Sequence, residues 1–330
     1  MTGLSSTELE RAEALAEQVL QRDVPRRRML VIVNPYATTV SDRLKKLVVY
    51  ALQSRYEVEA VDTEAKAHAT ELCRQAGDEG YEVVVAFGGD GTVNEAANGL
   101  IGTDVPLTCL PGGSTNVFCR SLGIPRDVVD ATEHLLQLAD RFEPRRVDLG
   151  RVNGRHFTFS SGIGLDASVV EQVDAHPKLK SRYTRWYYTY VAVQQFLRKY
   201  LVHPPRVEVE VHGSKSRGVT VIVQNADPFT YFGPRPIRVN EGAALDNGTL
   251  SLTLLERASA IDMPTLIPRL FSARAKTVQR HRQIAGFEGI DYAQVRALEG
   301  KFPLQVDGDF IGDFEEASYG VVPNALAVVA

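Results

Sequence analysis

The run Val83-Val84-Val85-Ala86-Phe87-Gly88-Gly89-Asp90-Gly91-Thr92-Val93-Asn94-Glu95 constrains this chain more than any other stretch. Five apolar residues suited to a buried strand lead directly into three glycines within four positions, and a helix is expected from about Val93. Glycine lets a backbone turn sharply and lets a ligand come close. The first turn of a helix offers N–H groups without intrahelical partners, which attract anions. Asp90, set among these glycines, is placed to meet a phosphate-bound metal or a substrate hydroxyl. The simpler alternative is a tight turn in which Asp90 caps the helix.

The neighbouring segments repeat the pattern. Strands are expected over Met29–Val33, Tyr56–Val61, Glu82–Phe87 and Leu107–Leu110, with helices near 41–54 and 66–79. Alternation of this kind predicts βαβ units around a parallel sheet, with ligands at the carboxyl ends of its strands. Three of those ends carry unusual loops: Asn34-Pro35-Tyr36-Ala37-Thr38, Gly88–Thr92, and Pro111-Gly112-Gly113-Ser114-Thr115. Converging on one sheet edge, they would form a nucleotide site. Neither GxxxxGK[ST] nor GxGxxG is present, which argues against a P-loop and a dinucleotide fold.

The character changes near Arg145. Short runs rich in β-formers follow, over Arg146–Val152, His156–Ser161, Arg206–His212, Gly218–Asn225 and Thr249–Leu255, with turn signals at Asn153-Gly154, His212-Gly213 and Asn247-Gly248. The resulting division is a helical extension over 1–28, an α/β unit over 29–145 and an antiparallel, β-rich unit over 146–322. The apolar tail 323–330 is a candidate strand returning to the first unit.

With 44% hydrophobic and 24% charged residues, the chain can bury a sizeable core. No apolar run reaches the ~20 residues that span a bilayer, and the N-terminus lacks an apolar signal core, so a cytoplasmic protein is expected. Cys73, Cys109 and Cys119 form no CxxC pair and read as buried, reduced thiols. His176, His203 and His281 read as surface residues. The net charge of −4 conceals a segregation: seven Lys/Arg and no acid lie in 178–206, and five more without an acid in 263–287. The other 25 basic residues face 41 acidic ones. Segregated positive charge calls for an anionic partner. In 178–206 the cations alternate with aromatics, including Trp186. That mixture suits a membrane interface, a nucleic acid, or merely a packed helix with a solvated basic face. Nucleic acid is the least expected of these.

In their order and spacing these blocks resemble the diacylglycerol kinase catalytic-domain family of bacterial lipid kinases, relatives of sphingosine and ceramide kinases. The resemblance covers residues 29–322. It rests on Asn34-Pro35, Thr63, Gly88–Glu95, Leu110–Asn116, Gly162–Ala167 and Asp307-Gly308-Asp309. Gly-Gly-Asp-Gly-Thr alone is shared with NAD kinases, but their Asn-Glu pair stands much further from the glycines. The resemblance implies a Rossmann-like nucleotide domain followed by an antiparallel β-sandwich, and an ATP- and Mg²⁺-dependent kinase acting on a diacylglycerol-type lipid at the inner face of the membrane. Asn34, Pro35, Thr38, Thr63, Gly88, Gly89, Asp90, Gly91, Thr92, Asn94, Glu95 and Ser114 would hold ATP. Asp309 would be the catalytic base, with Asp90 beside it. A second-domain metal loop would involve Ala244, Asn247 and Thr249. Lipid contact would fall on Arg182, Arg185, Trp186, Arg198 and Lys199.

Three departures from the family pattern stand out. Asp309 replaces a glutamate, Val117 an acid, and Asn247 a carboxylate of the metal loop, and these suggest an inactive nucleotide-binding regulator as one alternative. A sphingoid, ceramide or other phospholipid kinase is another, and an NAD kinase is less expected. The sequence does not specify an oligomeric state.

Overall fold

The structure, a computed structural model, describes residues 26–37, 40–165, 167–168, 205–259, 261–272 and 274–330. Most of the helical extension expected over 1–28, and all but the end of the basic, aromatic segment 178–206, lie outside the described residues. So do Thr38 and the candidate lipid contacts Arg182, Arg185, Trp186, Arg198 and Lys199.

The first half alternates as its hydrophobic runs require. β1 (Arg28–Val33), α1 (Asp42–Leu52), β2 (Glu57–Asp62), α2 (His68–Ala76), β3 (Val83–Gly88), α3 (Asp90–Leu100), β4 (Leu107–Pro111) and α4 (Val117–Ser121) follow one another, and α5 (Val128–Leu138) closes it. Ser41 caps α1 by accepting the Leu44 N–H, and Asp127 caps α5 by accepting that of Val129. The strands pair in parallel in the order β2-β1-β3-β4. β3 and β4 are buried at every position, as strands covered on both faces must be, whereas the edge strand β2 has exposed residues. Strand order reverses between β1 and β3, which opens a crevice at their carboxyl ends.

The second half is antiparallel. β5 (Arg145–Val152), β6 (Arg155–Phe157), β7 (Ser160–Ile163), β8 (Val207–Val211), β9 (Ser214–Gly218), β10 (Thr220–Gln224), β11 (Thr230–Phe232), β12 (Arg235–Ile237) and β13 (Leu250–Leu255) precede two short helices, α6 (Met263–Leu270) and α7 (Ala275–Gln279). β14 (Ile284–Ile290), β15 (Tyr292–Ala297), β16 (Phe302–Val306), β17 (Asp309–Phe314) and β18 (Glu316–Val328) complete the chain. Asn153-Gly154, His212-Gly213 and Asp307-Gly308 all have positive φ at both residues, as two-residue type I′ hairpins demand. One sandwich layer runs β14-β13-β10-β7-β16-β17. The other is not separate from the first half, because β18 pairs in parallel with β4 and antiparallel with β5 and β15, extending the parallel sheet into the sandwich. Val152, Phe157, Leu252, Leu304 and Tyr319 fill the space between the layers, with Phe157 and Tyr319 edge to face at 6.3 Å.

Two local readings need correction. The run His156–Ser161 is not one strand, since it breaks at Thr158-Phe159, where backbone N–H groups turn to a buried carboxylate described below. His281 is buried and shares a 2.9 Å hydrogen bond with Thr265 of α6, so it is a packing residue.

Leu326 of β18 is completely buried in the core of the first half and faces Val147 in the ladder. Leu326→Ala should therefore cost about 2–5 kcal/mol in urea unfolding. Replacing the partly exposed Val321 by Ala should cost clearly less.

Candidate active site

Four loops meet at the carboxyl edge of β2-β1-β3-β4, and hydrogen bonds lock them together. The Asn34 N–H donates to the Phe87 carbonyl (2.9 Å), Thr63 N–H to Val33 (2.8 Å) and Gly112 N–H to Gly88 (2.8 Å). Asn34 Nδ2 donates to Thr92 Oγ1 (3.1 Å), while its Oδ1 accepts the Tyr36 N–H and shapes the turn containing the exposed Pro35. The loops after β3 and β4 touch backbone to backbone. A Cβ on Gly112 would stand 2.9 Å from Gly88 Cα, and one on Gly113 would stand 2.8 Å from Gly89 Cα. These glycines are needed for loop-to-loop packing before any ligand arrives. Asn116, at φ 48°, fastens the second loop by exchanging hydrogen bonds with both backbone groups of Gly113. Ser114 remains exposed at the rim.

α3 begins at Asp90, three residues earlier than expected, with Gly89 as its N-cap. Its first N–H groups face the crevice edge. Asp90 does not cap its own helix. It reaches across to α4, where Oδ1 accepts the Phe118 N–H at 3.4 Å. Burial above all, and then the Asp307 charge, push its pKa up to about 7; the α4 N–H groups act the other way, and Asp309 adds to the rise.

The catalytic candidate arrives from the other half. The two-residue turn Asp307-Gly308 reverses the chain, and Asp309 is the first residue of β17. Its Oδ2 lies 2.9 Å from where a Cβ on Gly91 would stand. Gly91 has no side chain because that space belongs to the Asp309 carboxylate. Asp90, Gly91 and Asp309 therefore converge although more than two hundred positions separate them in sequence.

The convergence depends on a residue that the sequence reading leaves out of the site. Asp307 is buried, and its carboxylate accepts five hydrogen bonds. Oδ2 takes the N–H (2.6 Å) and Oγ1 (2.8 Å) of Thr158 and Nδ2 of Asn94 (2.8 Å); Oδ1 takes the N–H groups of Phe159 (3.0 Å) and Ser160 (3.1 Å). Burial raises its pKa, against the pull of the donors from Thr158, Phe159 and Ser160.

Two of the candidate nucleotide ligands make hydrogen bonds within the protein. Asn94 is almost fully buried. Besides Asp307 it donates to the His156 carbonyl (3.0 Å) and accepts from Arg155 (3.2 Å). Glu95 Oε1 accepts the N–H of Ala67, which precedes α2 in the left-handed conformation, and thereby fixes the start of that helix. Asn98 joins the same junction, exchanging hydrogen bonds with the backbone of His156. The available signal is Asn94 and Asn98, two amides one helical turn apart among the small and apolar residues Val93, Ala96, Ala97, Gly99 and Leu100.

The second-domain loop does not fit a closely held cation. Asn247 Nδ2 donates to the Gly242 carbonyl (2.6 Å), its Oδ1 accepts the Thr249 N–H (3.1 Å), and the Gly248 N–H donates to Asp148 Oδ2 (2.6 Å). An amide donor closes the loop in place of a carboxylate, and the loop's Asp246 is exposed. Ala244 and Thr249 therefore flank a turn held by hydrogen bonds.

Residues 28–152 match the family described as diacylglycerol kinase catalytic domain, and residues 159–330 match that described as YegS C-terminal NAD kinase beta sandwich-like domain. A diacylglycerol kinase from Bacillus subtilis (strain 168) is 29% identical over 302 residues, covering 87% of this chain and 91% of that relative. A diacylglycerol kinase from Staphylococcus aureus (strain MRSA252) is 27% identical over 299 residues, covering 87% of each. Among solved structures, a diacylglycerol kinase from Bacillus anthracis str. Sterne superposes with a TM-score of 0.65 at 18% identity, over 93% of this chain and 98% of that one.

Two measurements probe the site. Asp307→Ala would leave five buried donors without an acceptor and should cost at least about 3 kcal/mol in urea unfolding. A loss below about 1 kcal/mol would contradict the bracing role. The second concerns Asp90, whose raised pKa means the folded protein binds more protons than the unfolded chain between roughly pH 4 and pH 7. Stability from this group is present at the acid end and lost as pH rises to about 7. The melting temperature of the ligand-free parent should fall across that window relative to Asp90→Asn, and parallel pH profiles would show that Asp90 is not perturbed.

Proposed function

The chain belongs to the diacylglycerol kinase catalytic-domain family, and from that premise we propose that it transfers the γ-phosphoryl group of ATP to the hydroxyl of a diacylglycerol-type lipid. The observation that carries this reading is the Asp309 carboxylate seated against Gly91, a base from one half placed on the glycine loop of the other. Phosphoryl transfer asks for positioned reactants and neutralised phosphate charge more than for covalent chemistry by the protein.

Each residue then has a task. The N–H groups at the start of α3, with Thr63 and Ser114 at the rim, receive the triphosphate at the edge where the strand order reverses. Asn34 and Thr92, bonded to each other, hold the β1 loop against α3. Asp309 accepts the proton of the acceptor hydroxyl as its oxygen attacks phosphorus, and the ADP oxygen leaves on the opposite side. The crevice edge fits a Mg²⁺ brought by the nucleotide: Asp90 offers an oxygen, and a divalent cation would offset the negative charge of Asp307 and Asp309, which adds to burial in raising the Asp90 pKa. When bound, that ion supplies charge neutralisation on the phosphates. This reading sets the reaction at the inner face of the membrane. No helix among the described residues is long and apolar enough to cross a membrane.

The deciding experiment incubates the protein with labelled ATP and a panel of diacylglycerol, sphingosine, ceramide and NAD. Label in a phosphatidic-acid-type product is expected; label in NADP or in no product would overturn the reading. Asp309→Asn keeps the size of the side chain and cannot take the proton, so kcat should drop about 10²–10⁴-fold. The KM for ATP should stay within a few-fold of the parent. Undiminished turnover would remove Asp309 from the chemistry.

A further inference from the structure

A second feature lies on the outer side of the antiparallel half. Leu266 and Leu270 of α6, with Val278 of α7, pack onto Val219, Ile237 and Leu255. The adjacent positions Ile267 and Phe271, four apart and so on one face of the helix, turn outward. Ile261, just before the helix, is 81% exposed. Phe271 meets Phe232 of the β11–β12 hairpin edge to face at 5.5 Å, and Phe232 is itself partly exposed. Ile267, Phe271 and Phe232 thus form an outward ridge that the protein's own core does not use, with Ile261 exposed at the start of the same segment.

Along the segment that carries most of this ridge, the charge has one sign. Residues 263–287 contain five Lys/Arg and no acid. Arg282 is paired with Asp262, Lys276 with Glu241 at 3.3 Å, and Arg269 binds the carbonyl of Thr277, which ties α6 to α7. Arg274, Arg280 and Arg235, the cross-strand neighbour of Phe232, are exposed and make no side-chain ion pair among the described residues. The ridge is also joined to the nucleotide half. Arg120 of α4 stacks 3.0 Å from the Tyr231 ring centroid and donates to the Gly233 carbonyl at the hairpin tip.

We propose that this ridge is a docking surface for an anionic lipid bilayer, with Ile261, Ile267, Phe271 and Phe232 at the acyl boundary and Arg235, Arg274 and Arg280 among the headgroups. Exposed apolar groups ringed by unpaired cations on an acidic protein complement a surface that is apolar beneath and negative above. A second copy of the chain is a poorer occupant, because a two-fold contact would set the same arginines against themselves. The proposal rests on the lipid-acceptor reading and gives it a geometry: docked here, the protein would join the membrane to α4 through the Arg120-held hairpin.

The test uses the full chain and co-sedimentation with vesicles of phosphatidylcholine alone or mixed with phosphatidylglycerol, at low and high salt. The parent should bind the mixed vesicles at low salt and lose them at high salt. Each arginine near an anionic surface contributes about a fivefold factor, so R274Q/R280Q should lower the partition coefficient roughly 25-fold. Ile267→Ser should weaken binding to the mixed vesicles at low salt. All three sites are exposed, and matched thermal melts would show that the variants fold. Sedimentation of both variants equal to the parent overturns the proposal. So does light scattering in which they dissociate a dimer while vesicle binding is unchanged, which would make the ridge an interface between copies. Phosphorylation of a short-chain, water-soluble diacylglycerol without vesicles separates the two readings and should be unaltered in the variants. If the parent phosphorylates no lipid yet sediments through these arginines, the docking surface stands and the kinase reading falls; the converse pattern sinks the docking surface alone.

Discussion

A buried carboxylate with too few partners costs several kcal/mol, and a protein keeps one only where the surroundings are built to receive it. Asp307 has five donors, three of them backbone N–H groups from consecutive residues 158–160. Thr158 and Phe159 would otherwise continue the strand. They leave the ladder to bind an oxygen anion instead, so the β6–β7 break and the stability of the hairpin turn are one arrangement seen from two sides. The fourth residue in the cluster, Asn94, belongs to the helix that starts at the glycine loop. Remove the carboxylate, and the hairpin bearing Asp309 loses its registration against Gly91.

Much of the nucleotide half was legible because its physics is local. Apolar runs bounded by glycine predict buried parallel strands, and β1, β3 and β4 lie within one residue of where those runs place them. The glycines were legible as glycines but not in their cause. Gly112 and Gly113 face Gly88 and Gly89 across a gap too small for any Cβ, and that contact joins loops some twenty residues apart. Asn94 and Glu95 show the same limit more sharply. Both stand in the most informative motif of the chain, yet their partners are His156, Asp307 and Ala67, which no periodicity connects to them.

The C-terminal end was harder to read for a different reason. Pro323-Asn324 interrupts an apolar stretch and looks like a stop. The structure absorbs it as a register shift between Val322 and Leu326, with Asn324 at φ 52° and its N–H held by Asp148 Oδ1 at 2.8 Å. Asp148 spends its other oxygen on Gly248, so one side chain steadies both the kinked strand and the loop that Asn247 closes. A bulge that needs a distant carboxylate to exist leaves no trace in local composition.

That kinked strand also limits how the molecule can move. Enzymes with a cleft between two lobes often close it by swinging one lobe about a flexible linker. Here β18 is a splice: Val328 pairs with Leu107 of β4 in one half, and Glu316–Gly320 pair with β15 of the other. Swinging the halves apart would strain the ladders that this one strand makes on both sides. Entry and release of ligands at this crevice therefore fall more naturally to loops and side chains at its rim than to a swing of one half.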